Sequence, residues 1–167
     1  MFEFCTLGLS HLDEVLALEA EVFFGLGQTG LLRRNTVAAW QASLCAPHVA
    51  MGVRAGTRLA ACAVLYLPEK GDGEDLSALL QGAEVGTRKS ASYKICMVAP
   101  EFRGNSLQVR LGRRLEEEAR RLGVSLLCST ASPRNAASID NLLRLGYRYD
   151  RTLEKYGFMR NLYYKYL

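Results

Sequence analysis

Residues 91–128 constrain what this chain can fold into more than any other stretch. An apolar run, Ala91-Ser92-Tyr93-Lys94-Ile95-Cys96-Met97-Val98, breaks at Pro100 and passes through Arg103-Gly104-Asn105-Ser106. A long amphipathic segment follows, then a second apolar run, Val124-Ser125-Leu126-Leu127-Cys128. Strand, helix and strand in that order read as a crossover between parallel neighbours. The hand-over from strand to helix at a Pro and a Gly leaves several backbone N–H groups unpaired. Together with the positive end of the helix dipole, they make an anion site sized for phosphate. The expectation is an α/β fold that holds a phosphorylated ligand at Arg103–Gln108.

The flanking sequence extends this pattern. Phe2–Leu7 reads as a first strand, and Ser10 is placed to cap a helix carrying Leu12, Val15, Leu16, Leu18 and Val22 at helical spacing. Gly25–Gly30 ends that helix, and Asn35 opens a second one that stops before Pro47. His48–Val53 and Leu59–Leu67 are predicted strands joined at Gly56-Thr57. A polar loop (Pro68–Gly73) and a short helix over Asp75–Leu80 follow. The helix after Arg103 should bury Leu107, Leu111, Leu115, Ala119 and Leu122. Its outer face should pair Glu116 with Arg120 and Glu117 with Arg121, and Gly123 should end it. Ser132-Pro133 predicts the start of a last helix with Ile139, Leu142 and Leu143 inward and Gly146 at its end. Tyr147–Leu153 and Phe158–Tyr166 then form strands around Lys155-Tyr156-Gly157.

The 167 residues suit one domain spanning 1–167, with no linker or repeat to divide it. An apolar fraction of 49% and a charged fraction of 23% are ordinary for a soluble globular chain. No run approaches the ~20 apolar residues of a membrane span, and the N-terminus shows no secretory pattern. Five cysteines, none in a C-x-x-C pair, sit in apolar stretches and suit a reducing, cytoplasmic setting. Two distant histidines argue against a metal site. The net charge of +4 resides in one segment: Val22–Pro68 holds Arg33, Arg34, Arg54 and Arg58 and no acid. Either this is a normally solvated surface or a mildly acidic substrate passes there. No basic stripe interleaved with aromatics points to nucleic acid.

Two glycine signals compete. Gly25-Leu26-Gly27-Gln28-Thr29-Gly30 matches the dinucleotide fingerprint G-x-G-x-x-G. However, a helix-period segment precedes it, and no acid follows before Glu69, so a dinucleotide-dependent oxidoreductase is set aside. Arg103-Gly104 has fewer glycines but the right flanks. Here Val98-Ala99-Pro100-Glu101-Phe102-Arg103-Gly104-Asn105-Ser106-Leu107-Gln108 resembles the V-x-P-x-[YF]-R-G-x-G-[IL]-[GAQ] motif of the GNAT superfamily of acyl-CoA-dependent N-acetyltransferases. Downstream, Asn135-Ala136-Ala137-Ser138 and Leu142-Leu143-Arg144-Leu145-Gly146-Tyr147 are similar to that family's N-x-x-A-x-x-L-Y-E-K-x-G-[FY]. The resemblance covers the whole chain. It implies a GNAT-like α/β fold: a mixed, mostly antiparallel sheet of about seven strands with a splayed parallel central pair, and about four helices. Two positions depart from the family: Ser106 replaces a glycine, and Leu142 stands where many members carry a tyrosine.

The resemblance implies transfer of acetyl from acetyl-CoA to a primary amine of a small molecule or peptide, by direct attack and without a metal. Cys96, Met97 and Val98 would receive the pantetheine like an added strand and donate to the developing oxyanion. Arg103, Gly104, Asn105, Ser106, Leu107 and Gln108 would hold the pyrophosphate, with Asn135 and Ser138 on the pantetheine arm. Each has a plainer reading. Cys96–Val98 would also make a core strand, Arg103 a solvated arginine and Asn135 a helix cap, and Cys96 reads better as a buried thiol than as a nucleophile. Tyr156 is the chosen catalytic group, its phenol able to donate to a thiolate; otherwise it packs at a hairpin. The competing function is a non-catalytic acyl-CoA-binding regulatory module. A homodimer is compatible with either.

Overall fold

A computed structural model describes residues 1–27, 30–69 and 71–167. The described strands are β1 (Phe2–Leu7), β2 (Val49–Ala55), β3 (Arg58–Tyr66), β4 (Ser90–Val98), β5 (Leu126–Ala131), β6 (Arg148–Lys155) and β7 (Phe158–Tyr166). They form one sheet in the order β1-β2-β3-β4-β5-β7-β6. All neighbours are antiparallel except β4 and β5, which are joined by the predicted crossover.

The helices are α1 (Leu12–Leu26), α2 (Val37–Ser43), α3 (Leu107–Arg121) and α4 (Ala136–Arg144). The central strand β3 is buried on both faces, and its alternation assigns one core to each. Ala61, Ala63 and Leu65 pack under Leu107, Leu111, Leu115 and Ala119 of α3 and Leu142 of α4. Cys62 and Val64 pack under Val15, Leu18 and Val22 of α1 and Trp40 of α2. So α3 and α4 cover one face and α1 and α2 the other. The mixed seven-stranded sheet and the four helices agree with the expected fold class.

Several local expectations need correction. α1 is preceded by a 3-10 turn over Leu9–His11, with His11 rather than Ser10 at its N-cap. Thr36, not Asn35, caps α2, accepting from the Ala39 N–H at 3.1 Å. Asn135 caps α4, so Ser132-Pro133 forms the turn before the helix and not its start. Leu122 and Leu143 face solvent at 38% and 52% exposure. The outer-face pairing on α3 also differs. Glu116 is buried, at 6% exposure, and accepts from Lys165 Nζ at 2.8 Å, while Arg121 pairs with Glu118. A buried carboxylate needs a desolvated partner, and β7 supplies a closer one than the next turn of the same helix. Gly27, Gly123 and Gly146 end their helices with positive φ, as C-terminal glycines do.

Three of the four arginines in the acid-free segment pair with carboxylates from outside it. Arg54 bonds Glu14 bidentately, Arg58 pairs with Glu21 and Glu101, and Arg33 pairs with Glu74. The upstream glycine match includes Gln28 and Thr29, which lie outside the described residues. Its Gly25 and Leu26 belong to α1, so no strand precedes it. Among the described residues, no helix is long and apolar enough to cross a membrane.

Candidate active site

β4 and β5 part company halfway along. Their ladder runs from Ser90–Leu126 to Ser92–Cys128 and stops, although β4 continues to Val98 and β5 to Ala131. At the parting point, Ser129 Oγ donates to the Tyr93 carbonyl at 2.8 Å, closing the last paired group. A bulge bends β4 at this point: three steps from Lys94 to Met97 face two from Val64 to Cys62 on β3. Ile95 carries it at φ +54°. That conformation is costly for a β-branched residue, and such strain persists only where the surroundings enforce it. The result is a gap walled by the free edge of β4.

One cavity enters this gap from the α3 side. Cys96, Met97, Val98, Arg103, Gly104, Ser106, Leu107, Gln108, Asn135 and Ser138 line it, all of them singled out in the sequence. Asn105 does not. Its Nδ2 donates to the Phe102 and Arg103 carbonyls at 3.0 and 3.4 Å and so holds the turn. The first intrahelical bond of α3 runs from the Arg110 N–H to the Ser106 carbonyl at 3.0 Å, and Ser106 gives no side-chain cap. The N–H groups of Leu107, Gln108 and Val109 are therefore left for a ligand. Gly104, at φ +83°, has nothing within 4 Å of where a Cβ would stand, so the backbone there is open to close approach.

α4 turns one face to the same cavity at i, i+3 and i+6. Asn135 Oδ1 accepts from the Ser138 N–H at 3.1 Å, so its capping role holds together with its place in the wall. Gln108 bonds both Ser138 Oγ (3.3 Å) and Asn141 Nδ2 (3.0 Å), tying α3 to α4 along the floor. Asn141 and Arg144 also line this cavity. Their spacing from Asn135 was the available signal, and the sequence reading passed over both. Leu142, at 1% exposure, lies in the core and lines neither cavity described here.

A second cavity meets the first at Cys96, Met97, Gln108, Asn135 and Ser138. Its outer wall gathers Leu31 and Arg33, Glu74 and Leu76, and Tyr156 and Arg160 from β6–β7. Tyr156 and Gly157 both have positive φ (61° and 76°), the two-residue hairpin turn that follows strand twist. The turn delivers the Tyr156 phenol to Glu74 Oε2 at 2.9 Å. Glu74 also accepts from Arg33 at 2.9 Å and Lys94 at 3.1 Å, and Arg33 lies 4.1 Å over the Tyr156 ring. Glu74, Lys94 and Arg33 were not foreseen, because each takes its place from a different segment.

Burial by itself would raise the Glu74 carboxyl. The Arg33 hydrogen bond, the Lys94 charge and hydrogen bond and the Tyr156 phenol outweigh it and hold the group down at about 2. Burial, reinforced by the Glu74 charge, pushes the Tyr156 phenol up, with Arg33 opposing. Burial lowers Lys94 below its ordinary value against the pull of Glu74. Burial also raises the Cys96 thiol to about 12, with the nearby Tyr93 phenol opposing, so it carries almost no thiolate near neutrality. Among the described residues, no group of three or more His, Cys, Asp or Glu is placed to hold a metal.

No family model matches the sequence, and no curated protein matches it. Solved structures do. An N-acetyltransferase from Staphylococcus aureus is 15% identical with TM-score 0.75, over 99% of this chain and 97% of that one. Arabidopsis thaliana NAA60, solved with acetyl-CoA, is 14% identical with TM-score 0.78, over 100% and 99%. The GNAT domain of S. lividans PAT is 14% identical with TM-score 0.74, over 98% and 89%. At these identities the likeness is one of architecture, and it agrees with the splayed β4–β5 pair: this chain has the GNAT fold.

Proposed function

We propose that the protein is an N-acetyltransferase that moves acetyl from acetyl-CoA to a primary amine. The observation that carries this reading is a pair of cavities that share a wall and differ in character. One offers the unpaired N–H groups at the start of α3, flanked by Arg103 and Arg144, and suits a pyrophosphate. The other is a polar chamber closed by Glu74 and Tyr156. They meet at Cys96 and Met97, on the unpaired edge of β4.

Acetyl-CoA supplies an activated acyl carbon with a good leaving group. The free edge of β4 offers main-chain groups to an extended arm and to the thioester oxygen. Glu74, ionised at working pH values, can accept a hydrogen bond from an incoming amine beside Arg33 and Lys94 but does not deprotonate it; the proton leaves through solvent. Tyr156 stays protonated well past neutrality, so it serves as a hydrogen-bond donor beside the junction. In the balanced step the nitrogen–carbon bond forms, the carbon–sulfur bond breaks and one proton passes from nitrogen to the sulfur or to water.

One observation favours acyl-CoA binding without turnover. Glu74 and Tyr156 are both moved away from the neutral range in which a general base or acid works best. Two measurements separate the readings. CoA raises the melting temperature in either case, while thiol release from acetyl-CoA with a panel of amines, polyamines and peptides requires the enzyme. Absence of any CoA shift at millimolar concentration overturns both.

A further inference from the structure

Arg160 is the most unusual cation in the protein. It lies in β7 at 3% exposure and lines the chamber that holds Glu74 and Tyr156. Its Nη1 donates to the Leu31 carbonyl at 3.2 Å, and its Nη2 meets no acceptor among the described residues. Among the described residues no carboxylate pairs with it, whereas Arg33 and Lys94 share Glu74. The chamber wall thus carries three cationic side chains against one carboxylate.

The guanidinium lies 5.6 Å from the Phe158 ring centroid, which satisfies none of its N–H donors, and leaving Nη2 buried without an acceptor is expensive. Holding the Leu31 loop does not call for a charge, since a neutral amide donates equally well to a carbonyl. A planar fork with an open Nη2 matches a carboxylate, the group that guanidinium pairs with most strongly. Burial pulls the Arg160 side chain below its ordinary value, with the nearby Tyr156 phenol opposing, as expected of a cation lacking its counter-charge.

We propose that the acceptor carries a carboxylate as well as its amine, and that Arg160 receives that carboxylate at Nη2 while Glu74 faces the amine. This places the substrate among amino-acid-type compounds. The proposal rests on the acetyltransferase reading above. It assigns the carboxylate to the acceptor because Arg160 lines only the chamber and not the Arg103–Arg144 cavity.

The test uses amino carboxylates from glycine to 6-aminohexanoate, with L-methionine and L-phenylalanine, each beside its carboxamide. Melting shifts are measured without CoA, and kcat/KM is measured with acetyl-CoA. At least one carboxylate should exceed its amide about tenfold or more in the parent. The ratio should fall to about one in Arg160→Gln and be partly kept in Arg160→Lys, with the CoA-induced shift unchanged in both. A parent indifferent to the carboxylate across the panel overturns the proposal, as does a preference that survives in Arg160→Gln. Should Arg160→Gln not fold, the parent ratio and Arg160→Lys decide. A preference for succinyl-CoA over acetyl-CoA with a neutral amine, lost in Arg160→Gln, overturns the assignment to the acceptor and moves the carboxylate to the acyl group. Loss of the CoA shift alone defeats the acetyltransferase reading, while the CoA-free melting shifts still score Arg160.

Discussion

Ser106 opens α3 at φ +54° and ψ +25°, in the left-handed region. There a side chain crowds the following carbonyl, at a cost of about 1–2 kcal/mol. The hydroxyl gives no capping bond in return. Ser106→Gly therefore removes strain without losing a hydrogen bond, while the freer unfolded chain offsets about 0.5–1 kcal/mol of the gain. A net stabilisation of about 0.5–1 kcal/mol raises Tm by about 1–4 °C in a domain of this size. The same change strips a side chain from the turn leading to the Leu107, Gln108 and Val109 N–H groups, so CoA should bind more tightly. Thermal unfolding with and without CoA, together with calorimetric titration, reads both effects. Gly104→Ala is the converse. Its methyl would enter open space, yet φ +83° makes any side chain costly, so Tm and CoA affinity should both fall. If Ser106→Gly lowers Tm or weakens CoA binding, the hydroxyl is a working donor and the strain argument fails.

Tyr156→Phe should keep the fold, since the ring remains under Arg33, and should lower kcat for thiol release about 10²-fold or more if the phenol is a positioned donor. Parent-like turnover on the best amine would make that phenol structural. Glu74 has a folded value of about 2 against an ordinary 4.5. The unfolded state therefore binds more protons between those values, and the Glu74 contribution, fully present above about pH 4.5, is lost as pH falls toward 2. Glu74→Gln should flatten that limb of the stability–pH curve, and an unchanged limb in denaturant titrations would refute the pairing. Lys165→Met strands the buried Glu116 carboxylate, with an expected loss of about 3 kcal/mol that Glu116→Leu in the same chain largely restores. A double variant no better than the single one would show that the loss lies in packing.

What was legible in the sequence follows from the range of the forces involved. Strand and helix periodicities are local, and β1 and β7 fall on their expected residues while α3 starts directly after the Arg103–Ser106 turn. The turn could be read because helix ends and glycines act over a few residues. The bulge could not. Ile95 is among the residues least suited to positive φ, and the run around it reads as an unbroken strand; the conformation is imposed by the register against β3 and by the ladder that ends at Cys128. Charge pairing was misread for a similar reason. Glu116 has Arg120 one turn away, yet its burial selects Lys165 across the sheet.

The cavity that holds Glu74 and Tyr156 shows where local reading stops. Arg33, Glu74, Lys94 and Tyr156 come from four segments, and the Tyr156–Glu74 bond spans 82 positions. No window along the chain contains two of these four residues at a spacing that implies contact. The basic Val22–Pro68 segment allowed an acidic substrate through Arg33, Arg34, Arg54 and Arg58, yet three of the four find carboxylates of this chain, and Arg34 lies over the Phe23 ring. Composition counts charges without saying which are already paired. Among the three cations that line this cavity, Arg160 is the one with no carboxylate partner among the described residues, and it lies in a strand whose sequence reads as an ordinary hairpin arm. Its open Nη2 becomes visible only once β7 has placed the side chain against the Leu31 carbonyl. Pairing is a property of the folded chain, so a scan for motifs does not show which groups are left open.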